Sequence, residues 1–403
     1  MAELLHMKAL VEPGRALTNE EKQRYSRHLL IPDVDMLGQQ RLLNAKVLCI
    51  GAGGLGSPTI LYLAAAGVGT IGILDFDRVE ISNLQRQIIH THSDLGKSKV
   101  QSAAEKAVAL NPSINLILHE VRLDETNALG IFADYDLIID CTDNFATRYL
   151  INDAAAILGK PYIWGSIYRF DGQASVFWSE YGPCYRCLHP VPPPPGLVPS
   201  CAEGGVLGSI CGAIGSIQST EAIKLITGIG EPLVGKLLIH NALDASQQAI
   251  KIEKSPNCPI CNGTMKALLS SYEAFCNAGL SSINSSELAA RFTSGEDFLL
   301  VDVREPEEFA SGAIADAQLL PVATFLDGSA LQVLPRDKEI VLYCRSGVRS
   351  ASCLQILRSA GFARSVHLEG GILAWQSLQV SESNSKSKSE SKSKFNSEGL
   401  NER

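Results

Sequence analysis

Short apolar runs alternate with helical patterns along the first half of the chain. The runs 46–52 (KVLCIGA), 70–77 (TIGILDFD) and 136–140 (DLIID) predict β-strands, and the stretches 55–66 and 97–110 have the apolar spacing of α-helices. Strands that alternate with helices form βαβ units. We therefore predict an α/β domain built on a mostly parallel sheet with helices on both faces.

The pattern changes at residue 181. Residues 181–199 have no regular periodicity and include four consecutive prolines, 192–195, which neither a helix nor a central strand tolerates. The glycine-rich apolar stretch that follows, 204–228, predicts a tightly packed helix entered through a loop.

A second and smaller α/β pattern occupies the last part of the chain. Residues 287–292 predict a helix, and the runs 298–303 (FLLVDV) and 339–343 (EIVLY) predict strands. The Ser/Lys/Glu-rich end has no apolar periodicity, which is typical of disorder. We predict an N-terminal segment over 1–19, a large domain over 20–265, a linker over 266–281, a small domain over 282–378 and a disordered tail over 379–403.

Composition narrows the class of protein. Of the 403 residues, 45% are hydrophobic and 19% are charged, which is the balance of a globular protein. No run approaches the roughly 20 apolar residues of a membrane span. The net charge of −8 argues against stable nucleic-acid binding. Eleven cysteines, an odd number, favour a reducing compartment, and we expect the cytosol.

A glycine-rich loop follows the first predicted strand. The segment Gly51-Ala-Gly53-Gly54-Leu-Gly56 matches GxGxxG, whose glycines let a phosphate approach a helix N-terminus in Rossmann-like domains. Asp75 ends the next strand, where a carboxylate binds ribose hydroxyls. These features alone are also compatible with an NAD-dependent oxidoreductase. The chain has no GxxxxGK[ST] segment, which argues against a P-loop ATPase.

Four further motifs resemble the nucleotide site of ubiquitin-activating-type adenylyltransferases. They are Arg24-Tyr-Ser-Arg27, the run 75–87 (DFDRVEISNLQRQ), Gly96-Lys-Ser-Lys99 and Asp140-Cys-Thr-Asp143-Asn144. The resemblance covers about residues 20–263 and implies ATP as the nucleotide. The nucleotide-binding residues that it implies are Gly54, Asp75, Ser82, Asn83, Leu84, Gln85, Arg86, Lys99, Asp143 and Asn144. It also implies a homodimer in which Arg27 reaches across from the second subunit.

Physical chemistry agrees with this resemblance. A carboxylate that attacks the α-phosphate of ATP brings two anions together, so nearby cations must offset their repulsion. Arg27, Arg86 and Lys99 carry the required charge, and Asp143 is suited to hold Mg²⁺ on the phosphates. The alternative is that these side chains are solvated surface charges.

Two CxxC pairs predict a structural zinc site. Cys184 and Cys187 form the first pair, and Cys258 and Cys261 form the second. Four thiolates suit tetrahedral Zn²⁺. The alternative to a zinc site is two unrelated cysteine pairs, one of them redox-active. We interpret His189 as a loop residue.

Two other cysteines and a pair of histidines lie outside the CxxC pairs. The resemblance makes Cys201 the residue that captures the activated acyl group, and Cys211 is read as a packed core residue. His90 and His92 are expected at the surface.

The small domain resembles rhodanese domains. The segment 301–309 (VDVREPEEF) is similar to their opening motif, Cys344-Arg-Ser-Gly-Val-Arg349-Ser350 to their active loop, and Gly370-Gly371-Ile-Leu-Ala-Trp375 to their closing motif. A loop of this kind directs backbone N–H groups inward, and it favours a thiolate or persulfide on Cys344. Ala313 stands where rhodaneses usually have histidine.

The two domains in this order are similar to the eukaryotic adenylyltransferase-and-sulfurtransferase family, which includes the molybdopterin-synthase adenylyltransferases. That resemblance implies adenylation of the C-terminal glycine of a ubiquitin-like sulfur carrier, followed by sulfur transfer from Cys344. It also implies a cysteine desulfurase as sulfur donor, and roles in molybdopterin synthesis and tRNA wobble-uridine 2-thiolation. An NAD-dependent oxidoreductase and a non-catalytic carrier-binding scaffold remain the alternatives.

Overall fold

The structure is a computed structural model that describes residues 8–193, 205–276 and 281–379. Within these ranges the chain divides into two compact units, one formed by 8–192 with 205–275 and the other containing 281–379. The first unit thus extends beyond residue 265, into the segment predicted as a linker. Cys201 and most of the predicted tail lie outside the described residues.

The first unit contains an eight-stranded sheet in the order β3-β2-β1-β4-β5-β6-β7-β8. Its strands are β1 (Lys46–Ile50), β2 (Thr70–Leu74), β3 (Asn115–His119), β4 (Leu137–Asp140), β5 (Tyr162–Tyr168), β6 (Asp171–Phe177), β7 (Lys236–Asn241) and β8 (Ser246–Lys251). The first five strands pair in parallel, and the last three extend the sheet in antiparallel fashion. The predicted mostly parallel α/β sheet is confirmed.

Helices cover both faces of this sheet. They are α1 (Asn19–Arg24), α2 (Ser26–Leu29), α3 (Asp35–Asn44), α4 (Gly56–Ala66), α5 (Lys99–Leu110), α6 (Ala128–Ala133), α7 (Phe145–Ile157), α8 (Tyr185–Leu188), α9 (Gly208–Thr227) and α10 (Tyr272–Cys276). Ile163 of β5 belongs to the core that contains residues of α4 and α9. Its neighbour Trp164 points to the opposite face, where its ring lies 5.7 Å from that of Tyr185 in α8.

The second unit contains a separate five-stranded sheet in the order β11-β10-β12-β13-β9, with all pairs parallel. Its strands are β9 (Ser282–Ile283), β10 (Phe298–Asp302), β11 (Gln318–Leu319), β12 (Glu339–Tyr343) and β13 (Ser365–Leu368). Its helices are α11 (Ser285–Ser294), α12 (Pro306–Ala310), α13 (Val322–Leu326), α14 (Ala330–Val333), α15 (Val348–Ser359) and α16 (371–379). Two apolar clusters pack against this sheet, which confirms a second α/β domain.

No helix in the described parts of the chain is both long and apolar enough to cross a lipid bilayer.

Candidate functional site

A cavity opens at the carboxyl ends of β1, β2 and β4, the edge of a parallel sheet where ligands bind in open α/β folds. The glycine-rich loop that follows β1 forms part of its wall. Gly51 has a φ of +96°, and a Cβ on Gly56 would lie 2.0 Å from the Gly51 carbonyl oxygen. Only glycine allows the loop to turn this tightly into α4. The cavity is lined by Gly54, Asp75, Arg86, Gln87, Lys99, Arg122, Thr142, Asp143, Asn144, Thr147, Arg148 and Ile167, among others.

Asp75 organises the start of this loop. Its carboxylate accepts hydrogen bonds from the backbone N–H groups of Ala52 and Asp77, both at 2.9 Å. Burial raises the pKa of Asp75, whereas the nearby charge of Lys99 opposes that rise. The carboxylate thus links the ends of two neighbouring strands at the cavity.

His90 lies beneath the loop, so its expected place at the surface is wrong. The side chain is buried, with Nδ1 2.8 Å from the Ser102 hydroxyl and Nε2 2.9 Å from the Ala52 carbonyl oxygen. Burial lowers the pKa of His90, which favours the neutral ring. His92 is exposed, as expected. The apolar pattern around the pair did not reveal that the loop covers His90.

Two predicted cations meet at the cavity. Lys99 is buried at the first turn of α5, and its Nζ donates to Asp77 Oδ2 at 2.8 Å. Arg86 donates from Nη1 to the Ser82 carbonyl at 3.1 Å. Together they place positive charge beside the glycine-rich loop, where phosphate groups are favoured.

Asp143 and Asn144 follow β4 at the same edge of the sheet. Asn144 is the N-cap of α7, and its side-chain oxygen accepts the Thr147 N–H at 2.9 Å. Asp143 is exposed to the cavity and forms no ion pair with any described residue. An unpaired carboxylate beside a phosphate site has the chemistry that Mg²⁺ requires, so Asp143 fits that ion.

The remaining predicted nucleotide residues lie elsewhere. Ser82, Asn83, Leu84 and Gln85 occupy the turn before Arg86, and none of the four lines the cavity. The buried Asn83 side chain accepts the Glu80 N–H at 3.1 Å. Arg27 is exposed on α2 and is not part of the cavity wall either.

The cavity also includes residues that the sequence analysis did not single out. Gln87 is buried, with no partner for Oε1 among the described residues, and Arg122 lies at the β3 side of the cavity. Arg148 stands one helical turn beyond Asn144 on α7. Since residues four apart share a helix face, this spacing was the available signal for Arg148.

The four cysteines of the two CxxC pairs come together. Their sulfur atoms all lie within 4.8 Å of one another, with Sγ–Sγ distances of 3.4 Å for Cys184–Cys258, 3.6 Å for Cys187–Cys261 and 3.9 Å for Cys184–Cys187. Four sulfurs at about 2.3 Å from a tetrahedral Zn²⁺ would be about 3.8 Å apart. The cluster therefore fits structural zinc, and His189 is not a member of it.

A buried polar network joins this cysteine cluster to α7. Arg186, between Cys184 and Cys187, donates to both carboxylate oxygens of Asp153. Asp153 also accepts the Tyr272 hydroxyl at 2.7 Å. The guanidinium carbon of Arg186 lies 4.9 Å from the ring centroid of Tyr149 and 4.7 Å from that of Phe275. Through these contacts α10 packs into the first unit.

Cys344 follows β12 in the second unit and is fully buried. Its Sγ accepts the Gly347 N–H at 3.1 Å, and the Ser350 hydroxyl lies 3.7 Å away. Gly347, with a φ of +95°, is the N-cap of α15. The sulfur thus lies in a loop at a helix N-terminus, an environment that favours sulfur anions.

The loop around Cys344 is held by an ion pair. Arg349 donates two hydrogen bonds, of 2.6 and 2.7 Å, to the carboxylate of Glu308. This hydrogen bonding lowers the pKa of Glu308 to about 2. Cys353 is buried in the core behind the loop. Cys211 is a buried core residue of the first unit, as expected.

Comparisons with known proteins match both domains of the chain. Residues 25–260 match the ThiF family model, and residues 284–378 match the rhodanese-like domain model. The chain is 56% identical to the probable adenylyltransferase/sulfurtransferase MoeZ of Mycobacterium tuberculosis, over 91% of this chain and 95% of that protein. It is 41% identical to adenylyltransferase and sulfurtransferase MOCS3 of Drosophila ananassae, over 89% of this chain and 84% of that protein.

Two further similarities cover less of the chain. The sulfur carrier protein adenylyltransferase of Thermus thermophilus is 50% identical over 64% of this chain and 98% of that protein. The structure of E. coli MccB with ATP is similar with a TM-score of 0.53 and 21% identity, over 62% of this chain and 77% of that one. At this identity the similarity shows the fold alone.

These matches extend over most of the chain and include both predicted domains in the predicted order. They give the nicotinamide alternative no support, since the Mycobacterium and Drosophila relatives are both named for adenylyltransferase and sulfurtransferase activities. The chain therefore belongs to the ThiF family, and it joins the adenylyltransferase domain of that family to a rhodanese-like sulfurtransferase domain.

Proposed function

We propose that this protein uses ATP to activate the C-terminal glycine of a ubiquitin-like sulfur-carrier protein and converts its carboxylate into a thiocarboxylate. One arrangement supports this assignment: Arg86, Lys99 and Asp143 line the same cavity as the glycine-rich loop. A carboxylate that attacks a phosphate needs cations to offset the repulsion and to stabilise the departing pyrophosphate. The Thermus thermophilus relative is also named as an adenylyltransferase of a sulfur carrier protein.

In the first step, one carboxylate oxygen of the carrier attacks the α-phosphorus of ATP. The new bond joins that oxygen to phosphorus, the bond to the β-phosphate oxygen breaks, and pyrophosphate leaves. Asp143 would hold Mg²⁺, which would supply further positive charge on the phosphates. The four cysteines would hold Zn²⁺, which would stabilise the fold and take no part in the chemistry.

In the second step, the Cys201 thiolate attacks the acyl carbon and AMP leaves, which forms a thioester. The terminal sulfur of a persulfide on Cys344 then attacks the thioester and displaces Cys201. This gives an acyl disulfide that a thiol reduces by two electrons, so that the thiocarboxylate is released. A cysteine desulfurase supplies the persulfide sulfur.

We further propose that the enzyme is a cytosolic homodimer in which Arg27 of one subunit completes the nucleotide site of the other. The thiocarboxylate serves molybdopterin synthesis and the 2-thiolation of tRNA wobble uridines. A deletion strain assayed separately for molybdopterin and for 2-thiouridine tests these two roles.

The direct test is ATP–pyrophosphate exchange with a purified carrier that ends in Gly-Gly. Wild type and Cys344→Ala are expected to exchange, and Arg86→Ala is expected to lose roughly a hundredfold or more. Arg78→Ala is the matched control, because Arg78 is an exposed arginine that also donates to a backbone carbonyl but does not line the cavity. Absence of exchange with every such carrier would refute the proposal.

Sulfur transfer is tested separately by mass spectrometry of the carrier. Replacement of one oxygen by sulfur at the carrier terminus raises the mass of the carrier by roughly 16 Da, the mass difference of the two atoms. Cys344→Ala is expected to abolish this gain. Cys353→Ala removes a neighbouring buried thiol of the same domain and is expected to retain that gain.

A further inference from the structure

Arg148 is a buried cation in the wall of the cavity. Its side chain is 7% exposed and lies on the first turn of α7. Nη2 donates to the Thr142 carbonyl at 3.1 Å, and the guanidinium carbon lies 5.5 Å from the Phe145 ring centroid and 5.7 Å from that of Trp164. These contacts hold the guanidinium group in one place.

Arg148 differs from the other buried cations in its pairing. Four lysine and arginine side chains are buried in the described ranges. Three of them form ion pairs with carboxylates: Lys99 with Asp77, Arg186 with Asp153, and Arg304 with Asp302. Arg148 has no such pair in these ranges, and its Nε has no hydrogen-bond partner.

One nearby carboxylate does not take the place of a partner. Asp140, at the end of β4, uses Oδ1 to accept the N–H and hydroxyl of Thr142, at 2.9 and 2.7 Å. It forms no ion pair with Arg148, although the charge of Arg148 lowers the pKa of Asp140 against the larger effect of burial. A buried guanidinium that faces a cavity and forms no ion pair of its own is suited to an external anion.

The order of strands indicates which anion this is. Asp75 at the end of β2 is the expected ribose site, and the loop after β1 is the expected phosphate site. Arg148 and Ile167 line the part of the cavity next to β4 and β5, beyond the phosphate site. With the ribose and phosphates assigned to the ends of β2 and β1, this part of the cavity is left for the second reactant.

We propose that Arg148 binds the C-terminal carboxylate of the carrier and holds it against the α-phosphate of ATP. This inference rests on the proposed function. The planar guanidinium group donates parallel hydrogen bonds to a carboxylate, which fixes its orientation. Its charge also offsets the repulsion between the carboxylate and the phosphates, so that one carboxylate oxygen can bond to phosphorus as pyrophosphate leaves.

The test compares two forms of one carrier, with a free C-terminal carboxylate and with a C-terminal amide. Binding of each is measured in the presence of an ATP analogue that has a methylene group between the α- and β-phosphorus atoms, so that no turnover occurs. Wild type is expected to prefer the carboxylate by roughly ten- to a hundredfold, the range of a charge-assisted hydrogen bond. Arg148→Gln is expected to bring this ratio close to one, and Arg148→Lys to leave it intermediate.

Arg41→Gln is the matched control. Arg41 also donates to a backbone carbonyl, that of Thr227 at 3.0 Å, and its Nε is likewise buried without a partner, but it lies away from the cavity. This variant is expected to keep the wild-type ratio. Because each variant is its own reference, a general loss of stability cancels from the ratio, and Arg148→Lys serves if Arg148→Gln does not fold.

Three outcomes would overturn the inference. The first is an unchanged ratio of carboxylate to amide binding in both Arg148 variants. The second is a wild type that binds the two forms of the carrier equally. The third is weaker binding of the ATP analogue with an unchanged carrier ratio, which would assign Arg148 to the nucleotide. Pyrophosphate exchange by the wild type separates these outcomes from failure of the proposed function, because exchange without a dependence on Arg148 refutes only this inference.

Discussion

Arg186 donates two hydrogen bonds, each 2.7 Å long, to the carboxylate of Asp153, and both side chains are buried. Arg186 lies between two cysteines of the four-cysteine cluster, whereas Asp153 lies on α7. The N-terminal end of α7 carries Asn144 and Arg148 at the cavity. The ion pair therefore ties the cysteine cluster to the helix that presents cavity residues.

Asp153→Asn is expected to lower the free energy of unfolding of the first unit by about 3–5 kcal/mol. The variant leaves the buried guanidinium of Arg186 without a countercharge, and a broken buried ion pair costs this much. Urea unfolding of the full chain in a Trp375→Phe background checks it, since the two remaining tryptophans, Trp164 and Trp178, both lie in the first unit.

Glu273→Gln is the control for this variant, because it removes the exposed ion pair with Arg122. The expected loss is below about 1 kcal/mol. Equal losses in the two variants would contradict the role assigned to burial.

Cys258→Ser is expected to lower bound zinc from one ion per chain and to lower the thermal unfolding temperature. Replacement of one of four thiolates breaks a closed tetrahedral site, whose binding free energy contributes to folding. Elemental analysis of the purified protein measures the zinc. Cys49→Ala, which removes a buried thiol elsewhere in the same unit, should retain a full complement, and zinc loss in both variants would argue against this site.

Because Asp140 is buried, we expect the free energy of unfolding to depend on pH. Burial raises the pKa of Asp140 to about 6, above its ordinary value of 3.8. Between about pH 4 and pH 6 the folded state holds a proton that the unfolded state has released, so the free energy of unfolding falls as the pH rises through this window. The two pKa values correspond to a loss of about 3 kcal/mol by pH 7.

Asp140→Asn removes this titration and retains an oxygen that accepts from Thr142. The stability of the variant relative to wild type is expected to increase by about 2–3 kcal/mol between pH 4 and pH 7. Urea unfolding at both pH values, in the same Trp375→Phe background, provides the measurement. A difference that does not depend on pH would rule out the raised pKa.

Gly56→Ala is expected to abolish nucleotide binding or to destabilise the first unit. Its Cβ would lie 2.0 Å from the carbonyl oxygen of Gly51, and backbone of the glycine-rich loop would have to move. Gly212→Ala on α9 is the contrasting substitution, since its Cβ meets no atom within 4 Å. That variant is expected to bind the nucleotide normally and to gain up to about 1 kcal/mol from helix propensity. Calorimetric titration with ATP separates the two, and normal binding by Gly56→Ala would contradict the steric argument.

Much of the fold follows from local sequence. The apolar runs of β1, β2 and β4 and the glycine spacing after β1 predict a parallel sheet with a phosphate-binding turn, because buried strands and tight turns restrict residue type locally. The same holds for the strand that precedes Cys344. The antiparallel strands β6–β8 were not predicted. All six residues of β8 are exposed, so that strand carries no apolar periodicity to read.

The sequence by itself determined the order of the two domains, the chemistry of their motifs and the two CxxC pairs, since each motif consists of residues close together along the chain. Only the tertiary structure decided which polar groups are buried and with what partners. His90 is covered by the glycine-rich loop, and Asp153 pairs with Arg186 33 residues away. Arg148 faces the cavity and forms no ion pair within the described ranges. Burial and ion pairing depend on which distant segments pack together, and this packing sets the electrostatic character of the site.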